Sequence, residues 1–325
     1  MGANGPVRVT GELASDRQRT PAGPARLWDR LPVPTRTTMR RLAAASLVAN
    51  IALVVTGGAV RLTGSGLGCP TWPRCTAGSF VAHDALGVNG LIEFGNRMLT
   101  FVLAAIAIAT WVAAMRLRPA RRSIRLLATA LLLGIPAQAV IGGVSVLTDL
   151  DPWVVSFHLL SSLALTSTAV VLLRRVDEED RLPQPTVPRS VVLLTRVLLV
   201  VTALVLYVGT VVTGSGPHAG SSDAPRNGLS PAAVSQLHAD LVFLLVGLTV
   251  GAWLALRAGG APERAQRAAR WLLGLELAQG VVGFTQYVTD LPIVLVGIHM
   301  LGAALIAAAA TWLFLGTRDR GLQHT

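Results

Sequence analysis

The chain has 325 residues, 52% hydrophobic and 14% charged, and its formal net charge of +11 rests on basic residues that are all arginine. A soluble domain carries about 25% charged residues, so most of this chain lies where charge is expensive, and a soluble globular protein is excluded. A nucleic-acid binder gathers its basic residues on one folded face. Here they fill short gaps between long apolar runs, which makes them topology signals and argues against nucleic acid as a partner.

Residues 1–41 are polar and rich in Arg, Pro and Gly. They lack the apolar core and small-residue cleavage site of a signal peptide and read as a disordered cytoplasmic tail. Eight stretches follow that approach the roughly 20 apolar residues a spanning helix needs: 42–62, 90–115, 126–147, 152–173, 191–213, 231–256, 271–288 and 292–315. Arginine bias in the connections sets their orientation. Arg116, Arg118, Arg121, Arg122 and Arg125, then Arg174, Arg175, Arg181 and Arg189, then Arg257, Arg264, Arg267 and Arg270 all fall on one side, with Arg318 and Arg320. The opposite connections hold Arg61, Arg74 and Arg226 with the helix-flanking Asp149, Asp151 and Asp290. The expected topology is a multi-pass protein of the cell membrane, surrounded by membrane lipid, with both termini cytoplasmic.

An internal repeat organises these segments. The third and fourth read Ala137-Gln138, Gly142, Thr148-Asp149-Leu150 and His158-Leu159; the seventh and eighth read Ala278-Gln279, Gly283, Thr289-Asp290-Leu291 and His299-Met300, at the same spacing. A weaker match joins Val54-Val55-Thr56-Gly57 to Val211-Val212-Thr213-Gly214, each ahead of a long outer loop. Parallel repeats about an axis along the membrane normal produce this pattern. The expected fold is therefore all-α, eight transmembrane helices in two pseudo-twofold-related four-helix bundles. Residues 42–173 form the first half, 174–190 a cytoplasmic linker, 191–315 the second half and 316–325 a cytoplasmic tail. Asp149 or Asp151, and Asp290, are expected to cap the helices that follow them, with Pro152 and Pro292 in the first turns.

His158, His238 and His299 lie inside the fourth, sixth and eighth segments, each about two turns from the outer end. Ionisable residues at such depth are costly and face a bundle interior, where they bind or relay something. A single one is often a hydrogen-bonded core residue; three at matched depth, two of them in register in a repeat, point to ligation. A compact metal site wants three or four convergent ligands, and no acidic cluster accompanies these. A four-helix bundle instead holds a heme with one axial histidine from each of two helices, which His238 and His299 satisfy. The first half offers His158, but Asn96 stands where His238 stands in the second, so its site is expected to be singly ligated or more open. Beside it, Glu93 and Arg97 are four apart and can pair; the carboxylate suits proton transfer, or the pair is a structural tie.

Cys69 and Cys75, the only cysteines, lie in the first outer loop. In an oxidising compartment they can form a disulfide, either as a staple or as an exchangeable bridge. Arg61, Arg74 and Arg226 either meet heme propionates, whose geometry arginine matches, or are ordinary loop residues. His83 and His218 read as bland loop histidines. Gln138 and Gln279 suit interhelical hydrogen bonds, and Glu276 has no evident partner.

At these residues the chain resembles the heme A synthase family, as an actinobacterial-type member. The segments that carry the resemblance are 57–70, Glu93 to Arg97, both copies of Gln, Thr-Asp and His, and the loop Thr213-Gly214-Ser215-Gly216-Pro217-His218. It extends over about 42–315. It implies oxidation of the C8 methyl of heme O to a formyl group, giving heme A for terminal oxidases, by successive hydroxylations and loss of water. It further implies a heme b held by His238 and His299, with His158 on the iron of the substrate heme O and Glu93 as the essential carboxylate. Asn96, Arg97, Arg61 and Arg226 complete the expected heme contacts. The implied partners are heme O synthase, which supplies the substrate, and an electron donor that the sequence does not identify. The family commonly has histidine where this chain has Asn96, and some members have a cysteine pair in the second outer loop that this chain lacks. The competing readings are a di-heme b-type membrane cytochrome, which would want two histidines in each half, and a transporter, whose site would lie near the midplane.

Overall fold

A computed structural model describes residues 1–2, 32–82 and 86–321. His83 and most of the N-terminal tail lie outside the described residues. From residue 34 onward the described residues pack as one unit with eight long helices among them. These are α1 (Arg36–Leu62), α2 (Gly87–Arg116), α3 (Arg122–Leu147) and α4 (Pro152–Asp177), then α5 (Arg189–Ser215), α6 (Pro231–Ala258), α7 (Glu263–Val288) and α8 (Ile293–Gly316). Among the described residues, all but α7 are long and apolar enough to cross a bilayer by length and composition. α7 falls short because Glu263, Arg264, Arg267 and Arg270 open it and Glu276 interrupts it. It packs along α6 and α8, and Thr249 of α6 hydroxyl-bonds Glu276 Oε1 at 2.8 Å. The fold is that of an all-α integral membrane protein.

Helix ends depart from the sequence expectation where side chains recruit them. α1 starts at Arg36, not 42: Thr35 caps it by accepting from the Thr38 N–H at 3.1 Å. Arg36 and Arg40 then pair with Asp177 at the end of α4, at 3.2 and 2.6 Å. Residues 316–321 are not a simple tail. Arg318–Asp319 (β2) pairs antiparallel with Gln184–Pro185 (β1), inside what reads as a linker. α7 begins eight residues before its apolar stretch.

The helices close into two rings of four neighbours, α1–α2–α3–α4 and α5–α6–α7–α8; α1 and α4 also pack on α8, and α4 on α5. The repeat is visible in the backbone. Asp149 and Leu150 take φ of 52° and 64°, and Asp290 and Leu291 take 60° and 59°. The Leu150 N–H donates to the Ser145 carbonyl and the Leu291 N–H to the Gln286 carbonyl, each at 2.7 Å. Leucine rarely adopts this left-handed region, so the same two-residue kink in both halves marks a shared turn. It corrects the capping expectation: Asp149 and Asp290 make the turn, whereas Asp151 caps α4 by accepting from Trp153 and Val154 N–H at 2.9 and 3.1 Å. Pro292 itself is the N-cap of α8, which has no side-chain cap.

Candidate functional site

The turns deliver His158 and His299, and the Ser230-capped start of α6 delivers His238, to similar depths, six or seven residues from the outer ends of α4, α8 and α6. That is about 10 Å at the helical rise of ~1.5 Å per residue. In the second half the His238 and His299 rings stand edge to face, centroids 6.4 Å apart and planes at 63°. His238 Nδ1 and His299 Nδ1 are both buried without a hydrogen-bond partner, and two imidazoles are a donor set for heme iron. The pair fits a bis-histidine heme.

Each ring rests against a glycine of the adjacent helix. A Cβ on Gly209 would lie 3.1 Å from His238 Cε1, and one on Gly283 would lie 3.2 Å from His299 Cε1. The Gln279 amide donates to the His299 carbonyl at 2.6 Å, in room left by Gly302. Outward of the pair lies a cavity of about 600 Å³, lined by Val212, Ser235, Gln286 and Val296 with His218 and Arg226. Val212, Ser235, Gln286 and Val296 sit three residues outward of Gly209, His238, Gly283 and His299, so this cavity lies one turn outward of the histidine pair. A volume of this size is ordinary for a cofactor.

The outer arginines divide. Arg226 lines this cavity while donating to the Ala224 and Pro217 carbonyls at 2.5 and 3.0 Å. Arg61 reaches across from the first half to the carbonyls of His218 and Thr213, at 2.7 and 3.0 Å, and secures the second outer loop. Arg74 donates to Ala77 O at 3.1 Å and stacks on Phe80 at 5.3 Å within its own loop. His218, which reads as bland in the sequence, donates from Nε2 to the Leu291 carbonyl at 2.9 Å and lines the cavity.

The first half is built differently. His158 also rests on a glycine, with a Cβ on Gly142 falling 3.2 Å from its Cε1. The next residue, Gly143, takes the ring of Trp72 from the cysteine loop, within 2.4–2.8 Å of where a Cβ would stand. In the repeat Gly142 matches Gly283, but Gly143 matches Phe284, so only the first half has this seat for a loop tryptophan. The doublet Gly142-Gly143 is the signal that could have located Trp72. Cys69 and Cys75 form a disulfide and both are fully buried. The loop passes close to α2 because Gly68 has no side chain; a Cβ there would meet the Asn89 carbonyl carbon and oxygen at 2.5 and 2.3 Å.

Glu93 is 5% exposed and held at both oxygens. Oε2 accepts from the Cys69 N–H at 2.6 Å and Oε1 from Arg97 Nη2 at 2.5 Å. Arg97 also donates to the carbonyls of Cys69 and Thr71, each at 3.2 Å. Asn96 Oδ1, both amide atoms of Gln138 and His158 Nδ1 are buried without a partner. Gln138 matches Gln279, but where Gly302 makes room for Gln279 the first half has Ser161. The interhelical hydrogen bond forms in the second half only. Buried polar atoms without partners cost about 1–3 kcal/mol each, and a bound ligand is one way to satisfy them.

The family model of COX15-CtaA, cytochrome oxidase assembly protein, matches residues 40–311. A heme A synthase of Symbiobacterium thermophilum is 27% identical over 265 residues, covering 75% of this chain and 84% of that protein. A heme A synthase of Lysinibacillus sphaericus is 30% identical over 44% of this chain and 46% of its own length. One of Listeria welshimeri is 31% identical over 48% and 50%. The latter two alignments span about half of each relative.

Proposed function

The chain belongs to the COX15-CtaA family of cytochrome oxidase assembly proteins, and from that premise we propose that it is a heme A synthase, an oxidoreductase of heme A biosynthesis. The observation that carries this reading is the inequality of the halves. The second half sets two imidazoles 6.4 Å apart. The first sets His158 in a matching seat, Asn96 at the place of the second ligand, and Glu93 under the disulfide loop.

In this reading His238 and His299 hold a heme b with Arg226 and His218 at its outer edge. Bound there, heme b supplies one-electron redox chemistry. The first half receives heme O with His158 on the substrate iron. Glu93, fixed by Cys69 and Arg97, handles protons as the C8 methyl is hydroxylated twice, each time taking one oxygen atom of dioxygen while the other leaves as water with two electrons from the donor and two protons, and the resulting gem-diol loses water to give the formyl group. Trp72 and the disulfide loop cover the site from the outer side and limit water entry. Arg97 positions Glu93, and Arg61 joins the two outer loops. A cell-membrane location with the arginine-rich end and both termini in the cytoplasm follows the arginine bias. The halves are related by an axis along the membrane normal, as their matched turns support. Heme O synthase is the supplier of substrate, and a separate donor provides electrons.

The test is co-expression with a heme O synthase, followed by pigment extraction and spectroscopy of the purified chain. Wild type yields heme A and a low-spin heme b spectrum. His238→Ala and His299→Ala lose that spectrum. Glu93→Gln keeps it and loses heme A by about 100-fold or more, the usual scale of a proton-transfer group. A heme-loaded wild type that makes no heme A would leave only an electron-carrying cytochrome.

A further inference from the structure

At the arginine-rich end, away from the heme seats, α1, α4, α7 and α8 enclose a crevice of about 520 Å³. Its wall is apolar, with Leu47, Val170, Leu305 and Ala309, and it is framed by Trp271 and Trp312. Along α8 it runs from Trp312 to Leu305, about 10 Å at the helical rise of ~1.5 Å per residue. Its mouth carries Arg174, Arg264 and Arg267.

The ion pairs around the mouth leave positive charge over. Glu178 is shared by Arg174, at 2.7 Å, and Arg175. Asp319 takes Arg264 at 3.1 Å. Glu263 takes Arg270 at 2.7 Å, and Arg267 stands off at 3.9 Å from the same oxygen with 64% of its side chain exposed. Five arginines thus meet three carboxylates. The Arg174 guanidinium also lies over the Trp312 ring at 5.7 Å, which fixes it at the rim.

We propose that this crevice between the two halves is a binding site for an anionic phospholipid, with an acyl chain against Leu47, Val170 and Leu305 and the phosphate among Arg174, Arg264 and Arg267. A neutral lipid would leave the surplus charge unmatched. A free anion would leave the apolar wall unused. Basic pockets between membrane helices at a cytoplasmic face take such headgroups. The site binds α1 and α4 to α7 and α8, so its occupant clamps the halves together.

The test uses the full chain, purified in mild detergent and depleted of lipid. It is titrated with phosphatidylglycerol or with phosphatidylcholine of the same acyl chains, and separately with inorganic phosphate, while native mass spectrometry counts bound lipid and thermal melting is followed. One phosphatidylglycerol per chain is expected to bind preferentially and raise the melting temperature. Arg267→Ala, which breaks no short ion pair, should weaken it about fivefold, the contribution of one basic residue near an anionic lipid. Leu305→Trp, which fills the apolar wall and leaves the arginines, should weaken phosphatidylglycerol too. Arg257→Ala, at the same end but outside the crevice, should change nothing. Equal binding of the two lipids, equal stabilisation by phosphate alone, or an Arg267→Ala response no larger than that of Arg257→Ala would overturn the proposal.

Discussion

The backbone N–H of Cys69 donates a 2.6 Å hydrogen bond to Glu93 Oε2, so the disulfide loop and the buried carboxylate form one unit. Arg97 closes it by bonding both Glu93 Oε1 and the Cys69 carbonyl. A carboxylate gripped on both oxygens has a fixed direction, which a proton-transfer group needs. In the proposed reading the loop therefore belongs to the first-half site, and the cysteines act there by holding backbone in place.

That arrangement distinguishes a staple from an exchangeable bridge. Both cysteines are fully buried, and thiol exchange requires access to a sulfur. The native protein should resist reduction and alkylation by a membrane-impermeant reagent until it is unfolded. The double replacement Cys69→Ser with Cys75→Ser should lower the melting temperature and reduce heme A formation while the heme b spectrum persists. Rapid labelling of native Cys69 or Cys75 after mild reduction would show an exchangeable bridge instead.

The glycine seats predict a separation of the two halves. Gly283→Val places branched carbon where the His299 ring lies, 3.2 Å from the Cβ position, and should abolish low-spin heme b. Gly142→Val crowds His158 in the same way but touches nothing in the second half. It should lose heme A and keep heme b at wild-type content. Spectra and extracted pigments of both variants check this. Loss of heme b in Gly142→Val would mean that the halves do not act as separate sites.

Much of this architecture was legible in the sequence because it rests on spacing. Hydropathy placed the helices, and the repeat of Gln, Thr-Asp and His placed His158 and His299 in register. What pairing decides was not legible. The start of α1 at Arg36 depends on Asp177, 141 residues away, and the ordered C-terminal segment depends on β1. An Asp ahead of a helix serves equally as a cap or in a left-handed turn, and at Asp290 only φ tells the two apart. Arg61 and Arg226 looked alike on the outer side, yet Arg226 lines the cavity while Arg61 holds loop carbonyls. The place of Trp72 is not legible because its seat, Gly143, is far along the chain and signals only by lacking a side chain.

Asp180 gives the arginine-rich end a pH dependence. It accepts from the Ser123 N–H at 3.1 Å, from the Ser123 hydroxyl, and from Arg121 Nε and Nη2 at 3.1 and 3.0 Å. Burial opposes its charge, but the bonds from Ser123 and Arg121 outweigh burial and hold the carboxyl below its ordinary value. A carboxyl depressed by folding stabilises fully above its unfolded pKa, and that contribution is lost as pH falls through the folded one. Asp180→Asn should therefore melt lower than wild type at pH 7, with the gap closing as pH falls below about 4. A gap of the same size at pH 7 and pH 3 would refute the assignment.

Asn96 is the position where the halves differ most consequentially. Its Oδ1 is buried without a partner, and it stands where the second half has His238, the proposed iron ligand. A site with one histidine releases its heme more readily than one with two, which suits substrate and product rather than a resident cofactor. Asn96→His supplies the second imidazole. The variant should co-purify with heme O or heme A in amounts approaching its heme b, and its turnover should fall as product release slows. Asn96→Leu removes the unsatisfied oxygen without adding a ligand, so it should stabilise the ligand-free chain and leave release fast. Pigment ratios in the purified variants, read beside heme A formed per chain, separate the two effects. If Asn96→His changes neither heme retention nor turnover, single ligation is not what lets the product leave.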